Sequence, residues 1–495
     1  VKDAPASAFE AVIGLEVHVQ LKTRTKLFCG CENRFGAPPN SLTCPVCLGL
    51  PGALPVLNRR ALELGVRAAL GLGAEVARET RFDRKNYFYP DQPKNYQITQ
   101  YEHPCARGGS VELHGDRGAS SIGLARLHLE EDAGKLVHRD RSTDIDLNRS
   151  GVPLLEIVTR PEIRSPEEAY RCLSALKRTL RYLDVSDCNM EQGSLRCDAN
   201  ISVRPRGESG LGTKVEVKNL NSFRAVRRAL AHEFDRQVGL LASGRGRLVR
   251  ETRQFDDRAG VTRPLRSKEA EEDYRYFPEP DLPPVRIAAE TIEAARAALP
   301  ELPAAKATRL VSVYSIPAYD AWVLVEDPRV ADYFEAVARD AGCAKEASNW
   351  VMTHVKRVLN EGSATIESFP IPPEELSALI RLKREGRLST TGARRVFDAM
   401  LAEGGDATTV ARDLGLEQPL DPVILETRVR EAMAANPRAV IDVRKGKTRA
   451  KGALIGHVMR ATEGKANPTL VREIVDRVLR EGTPEQEGEE KAERH

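Results

Sequence analysis

Residues 12–21, Val-Ile-Gly-Leu-Glu-Val-His-Val-Gln-Leu, alternate apolar and polar side chains almost without a break. Ile13, Leu15, Val17, Val19 and Leu21 fall on one side, and Gly14, Glu16, His18 and Gln20 on the other. Successive side chains of a strand point to opposite faces, so the stretch predicts a half-buried β-strand. Glu16 and His18 then stand side by side, about 6.5–7 Å apart along the strand. A carboxylate beside an imidazole on a polar sheet face can hold a divalent ion or move a proton. A merely solvated strand face can carry the same residues.

Three further segments repeat the pattern. Residues 126–130 put Arg126, His128 and Glu130 on one face, with Glu131 and Asp132 following. Residues 194–204 group Arg196, Asp198, Asn200 and Arg204, and residues 214–219 group Lys214, Glu216 and Lys218. Pro153–Val158 sets one carboxylate, Glu156, in an apolar run. A sheet surface lined with carboxylates and cations suits a metal–phosphate site, because carboxylates hold Mg²⁺ while Arg and Lys hold phosphoryl oxygens. There is no GxxxxGK[ST] loop and no Gly-x-Ser-x-Gly elbow, which excludes a P-loop in that form and shows no amidase nucleophile.

Cys29-Gly-Cys31 and Cys44-Pro-Val-Cys47 form two close thiol pairs twelve residues apart. Four thiolates so spaced fit a structural tetrahedral zinc; a redox pair or free thiols are the alternatives. Residues 81–97 pack Tyr87, Phe88, Tyr89 and Tyr96 among Arg84, Lys85 and Lys94. Cations beside aromatic rings suit a ligand with phosphate and base, although the rings equally suit a core plug. Helices are expected over Asn58–Leu72, over Pro161–Leu183 with Ser165 as cap and Pro166 first, and over Asn221–Leu241.

The 495 residues predict several domains. The fold class is α+β: a mainly antiparallel-sheet cradle domain with flanking helices over 1–296, then an all-α helical domain over 297–408 and a tail domain over 409–481. Residues 482–495 are Glu-rich and are expected to be disordered. The net charge of +3 restricts any nucleic-acid site to a local patch. The best such patch is Arg444, Lys445, Lys447, Arg449 and Lys451, which otherwise reads as a basic surface loop. No apolar run is long enough to span a bilayer and no signal-peptide form opens the chain, so a soluble cytoplasmic protein is expected.

Together Gly14–His18, Lys85–Pro90, His128–Gly134, Gly193–Ser202, Lys218–Phe223 and Asp273–Pro280 resemble the B subunit of the tRNA-dependent amidotransferases, over about residues 10–481. The resemblance implies work with an amidase A subunit and a small C subunit to convert Glu-tRNA(Gln) to Gln-tRNA(Gln), or Asp-tRNA(Asn) to Asn-tRNA(Asn). It also implies ATP and Mg²⁺, and a tail that holds the tRNA. Ammonia does not attack an ionised carboxylate, so ATP must first make an acyl phosphate. On that reading Glu16, His18, Glu130 and Glu156 surround Mg²⁺, and Asp198 and Glu216 serve a second ion or the aminoacyl end. Lys85, Tyr87, Tyr89, Lys94 and Arg196 are candidates for the nucleotide and the tRNA 3′ end. Glu131 rivals Glu130, but period-two counting favours Glu130 because it shares a face with His128.

Overall fold

The computed structural model describes residues 8–114, 118, 120–243, 247–267, 274–362, 365–417, 422–462, 466 and 468–481. Asp273 of the last motif and the acidic tail 482–495 lie outside the described residues. The chain divides into two compact units, Val1–Ala305 and Lys306–His495.

In the first unit, strand β1 (Phe9–Gln20) forms where the alternation places it. Its apolar row from Ile13 to Leu21 is buried to 1% exposure or less, while Glu16, His18 and Gln20 stay partly exposed. The neighbours are β5 (Pro153–Thr159) on one side and β6 (Leu195–Pro205) on the other, both antiparallel. Beyond β5 lie β4 (Ser120–Glu131), β3 (Tyr96–Thr99), β2 (Asp83–Asn86) and the short β10 (Phe277–Pro278). Beyond β6 lie β7 (Val215–Lys218), β8 (Glu251–Asp256) and β9 (Val261–Ser267). Among the described residues every pairing on this path is antiparallel except β7 with β8.

Helices cover the apolar face and leave the polar one open. Helix α1 (Arg59–Gly71) starts at Asn58, whose side chain accepts from the Arg60 amide. Helix α2 (Pro166–Tyr182) starts at Ser165, which accepts from the Glu168 amide, with Pro166 in the first turn. Those orphan amides have to be satisfied, and both sequences supply the acceptor. Helix α3 (Phe223–Ser243) is opened by Ser222, which accepts from the Ala225 amide at 3.0 Å. The core beneath them is continuous: Leu64, Ala68, Leu173, Leu176, Val226 and Leu230 join the inward rows of β1, β4, β5 and β6. Helix α4 (Ala289–Ala297) packs through Ile292 into the same core.

Among the described residues every regular element of the second unit is a helix. Helices α5 (Pro328–Ala341), α6 (Pro373–Arg384) and α7 (Thr390–Glu403) bury Val337, Leu379, Phe397 and their neighbours. At its end α8 (Pro422–Ala435), α10 (Lys451–Ala461) and α11 (Pro468–Glu481) share a small separate core built on Val429, Leu454, Val458 and Val475. Between them runs α9 (Pro437–Arg444), which leads into the basic segment. The α+β class is as the sequence predicts. Among the described residues no helix is long and apolar enough to cross a membrane.

Candidate active site

Antiparallel register builds the site as a row. His128 on β4 stands opposite Glu156 on β5, Glu156 opposite His18 on β1, and His18 opposite Arg196 on β6. Directly opposed residues of neighbouring strands share a face, with Cβ atoms about 5 Å apart. Four residues far apart in the sequence thus become lateral neighbours. Glu130 joins them from the next step of β4.

The contacts are close. His18 Nε2 lies 3.3 Å from Glu130 Oε1 and 3.4 Å from Glu156 Oε2. His128 Nε2 lies 3.0 Å from that same oxygen of Glu156 and 3.7 Å from Glu130 Oε2. Burial alone would lower both imidazoles, but the charge of Glu156 and hydrogen bonds to both carboxylates outweigh it. His18 is pushed up to about 10 and His128 to about 9. Burial would raise both carboxyls, yet the two histidines hold Glu130 and Glu156 well below the usual carboxylate range. One donor atom each from His18, Glu130 and Glu156 falls within 4.8 Å of the others, close enough to share a cation. Two carboxylates supply the hard oxygens that Mg²⁺ prefers, and the imidazole, on giving up its proton as a cation binds, adds a donor that also suits Mn²⁺.

Glu16 lies on the same floor but turns to Asn200, whose Nδ2 donates to it at 2.9 Å. Lys218 Nζ stands between Asp198 and Glu216, the pair expected to serve a second ion or the aminoacyl end, at 2.8 and 3.0 Å. Arg196 is engaged with Asp132 at 2.9 Å. Glu16, Asp198, Glu216, Lys218, Arg196 and Asp132 line one polar cavity of about 490 Å³ with His18, His128, Glu130 and Glu156. Its wall is aromatic: Tyr276 stacks on Tyr101 at 4.0 Å, and Lys85 Nζ lies 4.7 Å from the Tyr274 ring centre. Tyr87 also lines it, held by Gln92 Nε2, which donates to its hydroxyl at 2.7 Å.

Two nucleotide candidates stand elsewhere. Tyr89 is exposed, outside the cavity lining. Lys94 is buried and paired with Glu131 in a second, smaller cavity of about 140 Å³. Glu131 points away from Glu130 because consecutive strand residues alternate, and it also accepts from the Ile98 amide at 2.9 Å. The sequence alone assigns no role to His128, although its face is readable, nor to Lys218, Tyr101, Tyr274 and Tyr276. Only the fold brings those to the cavity.

The four cysteines of the N-terminal region converge. Cys29, Cys31, Cys44 and Cys47 each offer a sulfur within 4.8 Å of the others. Cys44 and Cys47 Sγ are 3.9 Å apart, near the roughly 3.8 Å edge of a tetrahedron with arms of about 2.3 Å. A hydrogen bond from Cys29, then the Cys44 amide and Lys26, pull the Cys47 thiol down to about 4 against its burial. Lys26 is fully buried with Nζ 3.6 Å from Cys47 Sγ, so a cation already sits beside the thiolates. The basic residues of the tail are surface-facing. Lys447 pairs with Asp442 at 3.0 Å and Lys451 with Asp476 at 2.6 Å. Arg444, Lys445 and Arg449 are exposed.

Comparison with known proteins agrees with this architecture. Residues 11–293 match the GatB/GatE catalytic domain, and residues 332–479 match the GatB domain. The chain is 51% identical over 471 residues to the B subunit of the aspartyl/glutamyl-tRNA(Asn/Gln) amidotransferase of Moorella thermoacetica, covering 94% of this chain and 99% of that protein. It is 49% identical over 472 residues to the protein of the same name from Carboxydothermus hydrogenoformans, covering 94% and 98%. The similarity to the Geobacillus kaustophilus protein of that name is 49% over 468 residues, again covering 94% and 98%. The chain belongs to the family of B subunits of the tRNA-dependent amidotransferases.

Proposed function

We propose that this chain activates the side-chain carboxylate of a misacylated tRNA, Glu-tRNA(Gln) or Asp-tRNA(Asn), with ATP and then completes the amide. The observation that carries the reading is the row His128–Glu156–His18 with Glu130, set in a polar cavity flanked by cations and aromatic rings. The carboxylate oxygen attacks the γ-phosphorus of ATP, the bond to the β-bridging oxygen breaks, and ADP leaves with that electron pair. Ammonia then attacks the acyl carbon, phosphate departs, and a proton is lost from nitrogen. His18, Glu130 and Glu156 offer the donor atoms that would hold Mg²⁺, which when bound would supply positive charge to offset that developing on the phosphoryl group.

The chain's own residues do the rest. Glu130 and Glu156 would hold the cation, and His18 and His128 fix both carboxylates in place. Lys85 and the tyrosine wall receive nucleotide or the 3′-terminal base. Asp198 and Glu216, tied through Lys218, shape the far side of the cavity. Ammonia would come from an amidase A subunit, steadied by a small C subunit, since the sequence carries no amidase nucleophile of its own. The tail cations would meet tRNA phosphates, and the cysteine quartet would hold a structural zinc. On this reading the protein works in the cytoplasm, where aminoacyl-tRNA is made and used.

The test is phosphate transfer from γ-labelled ATP in the reconstituted complex, with either tRNA and no ammonia donor. Glu130→Gln should abolish tRNA-dependent release of labelled phosphate. Release undiminished in that variant would remove the chemistry from this sheet.

A further inference from the structure

We propose that Arg126 and Arg107 form a phosphate seat at the edge of the cavity, and that Arg126 grips an oxygen of a bound phosphate ester. The inference rests on the function proposed above and adds a residue to it. The polar floor sorts its cations into two kinds. Arg196 and Lys218 are neutralised by carboxylates of the chain: Asp132 for the first, Asp198 and Glu216 for the second. Arg126 is not. Among the described residues nothing accepts a hydrogen bond from its side chain, and its Nε is buried without a partner.

Register explains why. The cross-strand row through Arg126 runs Arg107, Arg126, Val158, Glu16, Asp198. On one side the neighbour is an apolar valine, which keeps Glu16 a full strand further away. On the other it is a second arginine, whose guanidinium donates to the Glu102 carbonyl at 2.8 Å. Like charges directly opposed on a sheet are destabilising, and a buried donor without an acceptor is costly. Both penalties ease if an anion sits against the Arg126 guanidinium at the cavity, which the exposed Arg107 side chain can approach from the neighbouring strand position. A guanidinium fork matches phosphoryl oxygens two at a time. Arg126 also stands one pleat repeat, about 6.5–7 Å, from His128, so a phosphate held there adjoins the Glu130–Glu156 pair. The stacked Tyr101–Tyr276 rings line the same cavity, so a base and its phosphate can be held together.

Two phosphate esters present this chemistry: the triphosphate of ATP and the last phosphodiester of the tRNA acceptor strand. The test measures equilibrium binding to the intact complex of a non-hydrolysable ATP analogue with Mg²⁺, and separately of an unacylated acceptor-stem minihelix. Variants are Arg126→Ala, Arg126→Gln, Arg126→Lys and Arg107→Ala, each checked for an unchanged melting temperature. Arg126→Ala should weaken one ligand by roughly tenfold or more, Arg126→Lys by less, and Arg107→Ala measurably. Loss in the nucleotide arm identifies the triphosphate. Loss in the RNA arm, with a salt slope smaller by about 0.7–0.9, identifies the phosphodiester. If Arg126→Ala does not fold, Arg126→Gln, which keeps the stem and polarity, carries the same expectation. Both affinities within about twofold of wild type in a folded Arg126 variant would overturn the seat. A wild-type complex that binds neither ligand would instead sink the proposed function itself.

Discussion

His128 Nε2 lies 3.0 Å from Glu156 Oε2, an oxygen that His18 reaches from the opposite side at 3.4 Å. A carboxylate clamped between two imidazoles makes stability depend on pH. The histidines titrate near 10 and 9 in the folded protein, against 6.5 ordinarily. Their contribution is therefore complete below about 6.5 and is lost as pH rises through 9 to 10. The carboxylates are depressed from 4.5, so theirs is complete above 4.5 and lost as pH falls. Denaturation midpoints measured in chelator should peak between these limits and decline toward pH 10. Glu156→Gln should flatten the alkaline decline.

Glu130 and Glu131 are adjacent in sequence and opposite in role. Glu131 is buried in an ion pair with Lys94, whose side chain is 7% exposed. Glu131→Gln should leave the ammonium buried without its counter-charge and destabilise the first unit by about 3–5 kcal/mol. Glu130→Gln should abolish tRNA-dependent phosphate release by the folded protein, whereas the folded fraction of Glu131→Gln should retain it. Phosphate release normalised to folded protein separates the two, and equal loss would contradict the assignment.

The cysteine quartet should bind one zinc per chain, and Cys47→Ser should abolish it. The consequence reaches the segment leading into β5, because Lys26 Nζ donates to the Leu147 carbonyl and Ser150 Oγ to the Cys47 carbonyl. Hydrogen exchange over residues 147–152 should quicken when zinc is removed, along with a lower melting temperature. Metal analysis showing no zinc in the wild-type chain would refute this.

In the tail, Arg449 has no acidic partner among the described residues, while Lys447 and Lys451 are each paired with an aspartate. Phosphate binding by those lysines must first break an existing pair. Arg449→Ala should therefore weaken tRNA binding more than Lys447→Ala or Lys451→Ala, and lower the salt slope by about 0.9. Titrations at several salt concentrations rank the three.

Much of the site was readable from local pattern. Period two assigned β1 and its polar face, set His128 with Glu130, and turned Glu131 away. Cap residues at Asn58 and Ser165 marked two helices, and cysteine spacing marked the thiol cluster. These features depend on neighbours a few residues away, so the sequence carries them by itself. Which strand lies beside which is a different matter, because antiparallel pairing is set by packing of the whole sheet. Only the tertiary structure put Glu156 between His18 and His128, inserted Lys218 between Asp198 and Glu216, and buried Lys94 with Glu131. Charges were legible one by one along the chain. Their partners were not, since an ion pair is decided by a few ångströms across strands that lie many residues apart.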